Sequence, residues 1–392
     1  MSRRSLSLSR RTAWDRAPTA LAEAVDRARS SGRPLLDLTE TNPTAVSLDY
    51  PWDAIAAAVA RGARAAYVPE PFGQVAARSA VAERYAPGVD PSRVMLTAST
   101  SEAYSFLFRL LADPGDVVLV PRPSYPLLGL LGDLDGVSLE SYPLAEDDGW
   151  RIDFDGLDKA ARRPGVRAVV VVSPNNPTGS SLTGDELERL AERCAERGWA
   201  LIADEVFADY RREGLSVPLA AAQGRLSDAT WFSLGGLSKS AGLPGMKLAW
   251  TVCGGSESVL REALARLDVI ADTFLSPAMP VQVALPELLA LSPAIRASIQ
   301  RRIDANVRAL AGLRASAVSA LPVPGGWSAI LRVPATRTDD EWARTLIDDA
   351  GVLVQPGGFF DFERPVHLVV SLLPPEDTFA TAVARISAVF SA

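Results

Sequence analysis

The chain has 392 residues, 48% of them hydrophobic, enough to bury a large core in more than one domain. A formal net charge of −7 leaves no basic field to hold nucleic acid or an anionic membrane. Two cysteines and one histidine exclude a disulfide framework and a zinc-type ligand set, and a hydrolase with a histidine base would have to be built around His367 alone.

The start, MSRRSLSLSRR, is basic without a continuous apolar run, and reads as a flexible arm rather than a targeting signal. No segment reaches the roughly 18 apolar residues of a membrane span, and Cys194 and Cys253 suit a reducing compartment, so a cytoplasmic location is expected. The polar stretch Leu38 to Thr44 is either a turn ahead of Pro43 or a loop that brings Glu40 and Asn42 to a ligand.

From about residue 90 to 255, short apolar runs alternate with helical patterns, which predicts a parallel sheet covered by helices. Strands are expected at Val94–Thr97, Asp116–Val120, Ala168–Ser173, Trp199–Asp204, Thr230–Leu234 and Leu248–Cys253. Thr183 with Glu186 three residues on predicts a capping box, and Gly198 the end of that helix. From about residue 276 the character changes. Pro277, Pro280, Pro286 and Pro293 are expected to precede a helix from Ala294 to Ala317, followed by a strand over Trp327–Val333, a helix near Asp339–Ala350, strands near Val352–Gln355 and Leu368–Leu372, and a closing helix. The expected division is an N-terminal arm and part of the small domain over 1–48, a large domain over 49–275 and a small domain over 276–392.

In such sheets ligands sit beyond the carboxyl ends of the strands. The residues there are Ser-Thr-Ser before a helix, Tyr125 between two prolines, Asn176 in Asn-Asn-Pro-Thr-Gly, Asp204-Glu205, and then Lys239. Each has a plain alternative: an N-cap, ordinary packing, turn chemistry, a capping carboxylate. Together, and in order, they form a phosphate cradle, a flat aromatic, an amide, a carboxylate and an amine. Lysine is scarce, with Lys159, Lys239 and Lys247 alone among 40 basic residues. A guanidinium stays protonated, whereas a lysine amine can lose its proton and condense with an aldehyde, which singles out Lys239.

These motifs resemble the class I/II aminotransferase family of fold-type I enzymes that use pyridoxal 5′-phosphate, over roughly residues 35 to 375. The most specific pieces are Ser238-Lys239 followed by Gly-Leu-Pro-Gly-Met-Lys, the Asn176 to Gly179 turn, Asp204-Glu205, and Tyr67 with Gly73 ahead of a helix. The resemblance implies an α/β fold in which helices sandwich a mostly parallel seven-stranded sheet, with a smaller α+β domain, in a homodimer with shared active sites.

It also implies that Lys239 holds the cofactor as an internal aldimine and then moves protons, its pKa depressed by burial and by Lys247. Asp204 would pair with the ring nitrogen, Tyr125 would stack on the ring, and Asn176 would bond the phenolic oxygen. Thr100 and Ser101 would bind the phosphate, joined by Tyr67 of a neighbouring subunit. Phe207 stands where the family usually has a tyrosine, Gly236 where a phosphate-binding serine is common, and Lys247 where an arginine binds phosphate.

Val369 occupies the place of the arginine that clamps the substrate carboxylate, leaving Arg364, or more weakly Arg332, to reach the site. Asn42 and Trp327 are further substrate-facing candidates, Trp327 alternatively filling the small domain's core. The implied activity is transfer of an amino group between an amino acid and a 2-oxo acid. The alternatives are another chemistry of the same cofactor (elimination or replacement, cyclisation, decarboxylation) and, third, a non-catalytic cofactor-binding protein.

Overall fold

The structure is a computed structural model of one chain and describes residues 6–85, 88–212, 218–226, 229–313 and 317–391. The first five residues of the basic arm and part of the expected Ala294–Ala317 helix lie outside them. The segment that follows the start packs beside the helix Leu127–Asp135: the Trp14 indole donates to Asp133 Oδ2 at 2.7 Å and Arg11 to the Leu134 carbonyl at 3.3 Å.

An eight-stranded sheet forms the centre, one strand more than the seven expected. In spatial order it runs Val94–Thr97, Ala249–Gly254, Thr230–Gly236, Ala200–Asp204, Val166–Val172, Val117–Arg122, Ser138–Ala145 and Arg151–Ile152. Only the Ala249–Gly254 and Arg151–Ile152 strands run against the others. All six strands named from sequence are present within two residues at either end. Their apolar runs are buried on both faces, between two hydrophobic clusters, as a sheet covered by helices on both sides requires.

The helix Gly184–Arg197 carries the expected capping box, with the Thr183 hydroxyl accepting from the Glu186 N–H at 3.2 Å and the Glu186 carboxylate accepting from the Thr183 N–H at 2.8 Å. It ends at Gly198 in the left-handed conformation.

A second, four-stranded sheet is antiparallel and joins Ser319–Ala320, Ser328–Arg332, His367–Ser371 and Gln355–Pro356. The remaining strand pair is parallel, Leu36–Asp37 with Val352–Leu353, so the chain's early residues are stitched to its late ones. The late helix differs from expectation. It is one 31-residue helix, Met279–Ala309, with Pro286 and Pro293 inside it rather than ahead of it. Both prolines lie on its exposed face, where water can take the carbonyls that each leaves without an N–H partner.

Candidate active site

A cavity of about 320 Å³ opens at the carboxyl ends of the central strands. It is lined by Thr100, Tyr125, Asn176, Asp204, Phe207, Lys239 and Trp327, seven of the residues singled out in sequence. Local structure explains how they converge. Thr100 begins the helix Thr100–Leu111, capped by the Ser99 hydroxyl, which accepts from the Glu102 N–H at 3.1 Å. The Glu102 carboxylate in turn accepts from the Ala98 N–H at 2.7 Å, so the Ser-Thr-Ser stretch is a real N-cap, with Thr100 lining the cavity. Asp204 ends one strand, and Lys239 sits in the short helix Leu237–Ser240 directly after the next.

Two close backbone approaches hold the walls. The turn after Ser173 is closed by the Asn175 N–H donating to the Ser180 carbonyl at 2.7 Å and the Gly179 N–H to the Asn175 carbonyl at 2.8 Å. Gly179 has a φ of +71°, and a Cβ there would come within 2.5 Å of the Gly325 carbonyl oxygen. A glycine is needed on both counts, and the contact lays the Asn176 turn against the loop that carries Trp327. That loop is tied on its other side, since the Gly326 N–H donates to the Tyr210 carbonyl at 3.0 Å. Trp327 is 2% exposed and meets Phe207 and Tyr210 edge-on, with ring centroids 5.4 and 5.0 Å apart.

The electrostatics centre on one pair. Lys239 Nζ lies over the Trp327 and Phe207 rings, 4.7 and 5.5 Å from their centroids. Burial lowers its pKa from the ordinary 10.5 to about 8, while the Asp204 carboxylate pulls the other way. Lys247, expected to help depress that pKa, is exposed and contributes nothing to the shift. Burial raises the Asp204 carboxyl, opposed by the Val206 N–H, by the Tyr104 hydroxyl that donates to Oδ2 at 3.1 Å, and by Lys239. An amine whose pKa is lowered by burial, sharing a cavity with a desolvated carboxyl, can form a Schiff base and move protons.

Residues 33–386 match the family model described as aminotransferase class I and II. The chain belongs to that family. Nicotianamine aminotransferase B of Hordeum vulgare is 33% identical over 271 residues, 66% of this chain and 48% of that protein, so the chain spans about half the length of this relative. Aspartate/prephenate aminotransferase of Thermus thermophilus is 28% identical over 372 residues, 92% of each chain. Among solved structures, alanine aminotransferase from Pyrococcus furiosus superposes with a TM-score of 0.87 at 24% identity, covering 98% of this chain and 99% of that one. A single mutant of Thermus thermophilus aspartate aminotransferase gives 0.84 at 26% identity, covering 98% of this chain and all of that one.

Not every residue picked out by the aminotransferase pattern reaches the cavity. Ser101 is half-buried in the helix turn beyond Thr100 without lining it. Lys247 and Tyr67 are exposed. Asn42 is also exposed, and its side-chain carbonyl accepts from the Thr44 N–H at 3.0 Å and hydroxyl at 2.7 Å, the turn chemistry that was its alternative reading. Arg364 is exposed, offering only its backbone carbonyl to His367 Nδ1. Arg332 is paired with Glu146, which also lies 3.1 Å from His367 Nε2. Val369 does line the cavity, and so do Gln355, Phe359, Phe360 and Tyr104, which sequence reasoning passed over. Tyr104 carried a usable signal, standing one helical turn after Thr100 and so on the same face.

Proposed function

We propose that the protein is a pyridoxal 5′-phosphate-dependent aminotransferase that moves an amino group between an amino acid and a 2-oxo acid. The observation that carries the reading is the placement of the Lys239 amine in one cavity with Asp204, Asn176 and the start of the Thr100–Leu111 helix, at the strand ends. The donor set suits that cofactor: an amine, a carboxyl, an aromatic at the rim and the N-terminus of a twelve-residue helix surround one cavity. When bound, the cofactor supplies an aldehyde that exchanges amines and a ring that accepts the electrons of a broken carbon–hydrogen bond.

In this reading Asp204, held by Tyr104, would pair with the ring nitrogen and favour its protonated form, and Asn176 would donate to the ring's phenolic oxygen. Tyr125, at the cavity's rim, would pack against the ring. Thr100, Ser101 and Lys247 would hold the phosphate, and Tyr67, 67% exposed in a single chain, would join them from a second copy in a homodimer. Lys239 takes the proton from the substrate's α carbon and returns it, and the Trp327 and Phe207 rings keep bulk water from its amine. Trp327 and Asn42 remain the substrate-facing residues of this reading, with Arg364 as the outlying cation.

The division into an N-terminal arm over 1–48, a large cofactor domain over 49–275 and a small domain over 276–392 belongs to the same reading, supported by the two separate sheets. So does the cytoplasmic location. Among the described residues no helix is long and apolar enough to cross a membrane.

The test is borohydride reduction of the protein with pyridoxal phosphate, followed by peptide mass mapping. The label is expected on Lys239, and addition of an amino donor should convert the chromophore to the amine form. A label spread over Lys159 and Lys247, or no conversion with any donor, sinks the proposal.

A further inference from the structure

The central sheet also reaches the cavity from behind. Where the strand Ser138–Ala145 ends, a turn carries Glu146 and Trp150 across to the smaller sheet. Glu146 pairs with the Arg332 guanidinium and lies 3.1 Å from Nε2 of His367, the chain's one histidine, and both partners sit on strands of that sheet. Trp150 is 9% exposed and packs with Ile330, Phe360, Phe362 and Val369. Its ring meets those of Phe362 and His367 edge-on, with centroids 5.4 and 6.1 Å apart.

Trp150 stands in a backbone conformation that bulky residues rarely take. Its φ is +64°, directly after Gly149 at +70°, and its N–H donates to the Ala145 carbonyl at 2.7 Å. A tryptophan in the left-handed region costs stability at its own position, so the contacts it makes there must hold it. Two of those contacts, Phe360 and Val369, line the cavity. A second tie fixes the same wall: the Ser124 N–H donates to the Phe360 carbonyl at 3.0 Å, and Arg122 Nε to the Asp361 carbonyl at 2.9 Å. The wall is thus fastened to the ends of two neighbouring central strands, Val117–Arg122 and Ser138–Ala145.

The cofactor reading assigns Thr100, Tyr125, Asn176, Asp204 and Lys239 to pyridoxal phosphate. Phe360 and Val369 belong to the part of the cavity wall supplied by the smaller sheet and its adjoining loop, the side left for the substrate. We propose that Trp150 is a positioning residue for transamination: with Glu146 it holds Phe360 and Val369 as the surface against which an apolar substrate side chain packs. This rests on the aminotransferase reading. Trp150 itself does not line the cavity, so it acts only through the residues it supports. A wall free to shift loses its contacts with a long side chain, whereas a methyl group too short to reach it loses nothing.

The test is ligand-observed NMR titration of the cofactor-loaded protein with propionate, 4-methylpentanoate and 3-phenylpropionate. These are the skeletons of alanine, leucine and phenylalanine without the amine, so they bind and are not converted. The natural protein is expected to bind the two longer acids more tightly than propionate. Trp150→Leu should weaken 3-phenylpropionate by about tenfold while leaving propionate within about twofold, the scale on which apolar pockets discriminate. Trp150→Phe should restore most of the loss, and Glu146→Gln should show the same selective pattern at about threefold. Equal weakening of all three acids would mean a merely structural role and overturns the inference. So does unchanged binding in both Trp150→Leu and Glu146→Gln, or a natural protein that binds the longer acids no better than propionate. Failure of the aminotransferase reading looks different: the selective loss stands, yet no amino donor converts the chromophore to the amine form.

Discussion

At the scale of single residues, Lys239 and Glu205 show burial acting in opposite directions on opposite charges. The Lys239 amine, lowered to about 8, should react with aldehydes at a rate that rises with pH and levels off just above 8, where an exposed lysine would continue to about 10.5. A rate profile of Schiff-base formation on the cofactor-free protein, with Lys239→Ala as blank, reads this directly. Asp204→Asn should leave the cofactor bound but slow conversion by an amino donor by about a hundredfold, since a neutral amide cannot hold the ring proton. Single-turnover absorbance measures it, and an unchanged rate would remove Asp204 from its assigned role.

Glu205, next in sequence, is 6% exposed and pushed from 4.5 up to about 7 by burial, although its carboxylate accepts from the Ser233 hydroxyl at 2.5 Å and the Leu219 N–H at 3.0 Å. A carboxyl whose folded pKa is raised adds stability that is complete below 4.5 and is lost as pH rises through 7. The difference is on the order of 3 kcal/mol. Denaturant titrations from pH 4.5 to 7.5 should fall for the natural protein and stay flatter for Glu205→Gln.

Among elements, the helix Gly184–Arg197 depends on its capping box to leave the Asn176 turn cleanly, and Thr183→Ala is expected to cost about 1 kcal/mol by chemical denaturation. This helix was readable because cap, box and terminal glycine are local signals. The strands Val166–Val172 and Ala200–Asp204 were readable because burial on both faces leaves unbroken apolar runs. Ser138–Ala145 was missed: it mixes serine, glutamate and proline, lies partly exposed near the sheet edge, and is specified by pairing with Val117–Arg122 rather than by its own pattern. The Met279–Ala309 helix was cut short in sequence because proline normally stops a helix, and only tertiary placement shows both prolines facing outward. The site divides in the same way. Asp204 ends a strand and Thr100, Asn176 and Lys239 follow strands, so all four could be found by position, while Gln355, Phe359 and Phe360 arrive from a segment more than a hundred residues later with no motif of their own.

On the scale of the whole molecule, the exposed Tyr67, Val68 and Val75 and the exposed Phe274 and Leu275 leave apolar surface that a second copy could cover. Equilibrium sedimentation of the purified protein is expected to give twice the chain mass. Tyr67→Ala should then weaken retention of pyridoxal phosphate through dilution-sensitive loss, and a monomer that keeps its cofactor would count against the shared site.

The meeting of Gly179 with Gly325 has a mechanical meaning. Bare main chain from the central sheet's loop abuts bare main chain from the loop feeding the smaller sheet, with no side chain between to flex or compress. Such a seam sets a floor on the distance between the two loops, and any side chain larger than hydrogen at position 179 would have to push them apart. The softer part of the cavity wall is where Tyr125 and Phe359, both exposed, meet edge-on with ring centroids 6.4 Å apart.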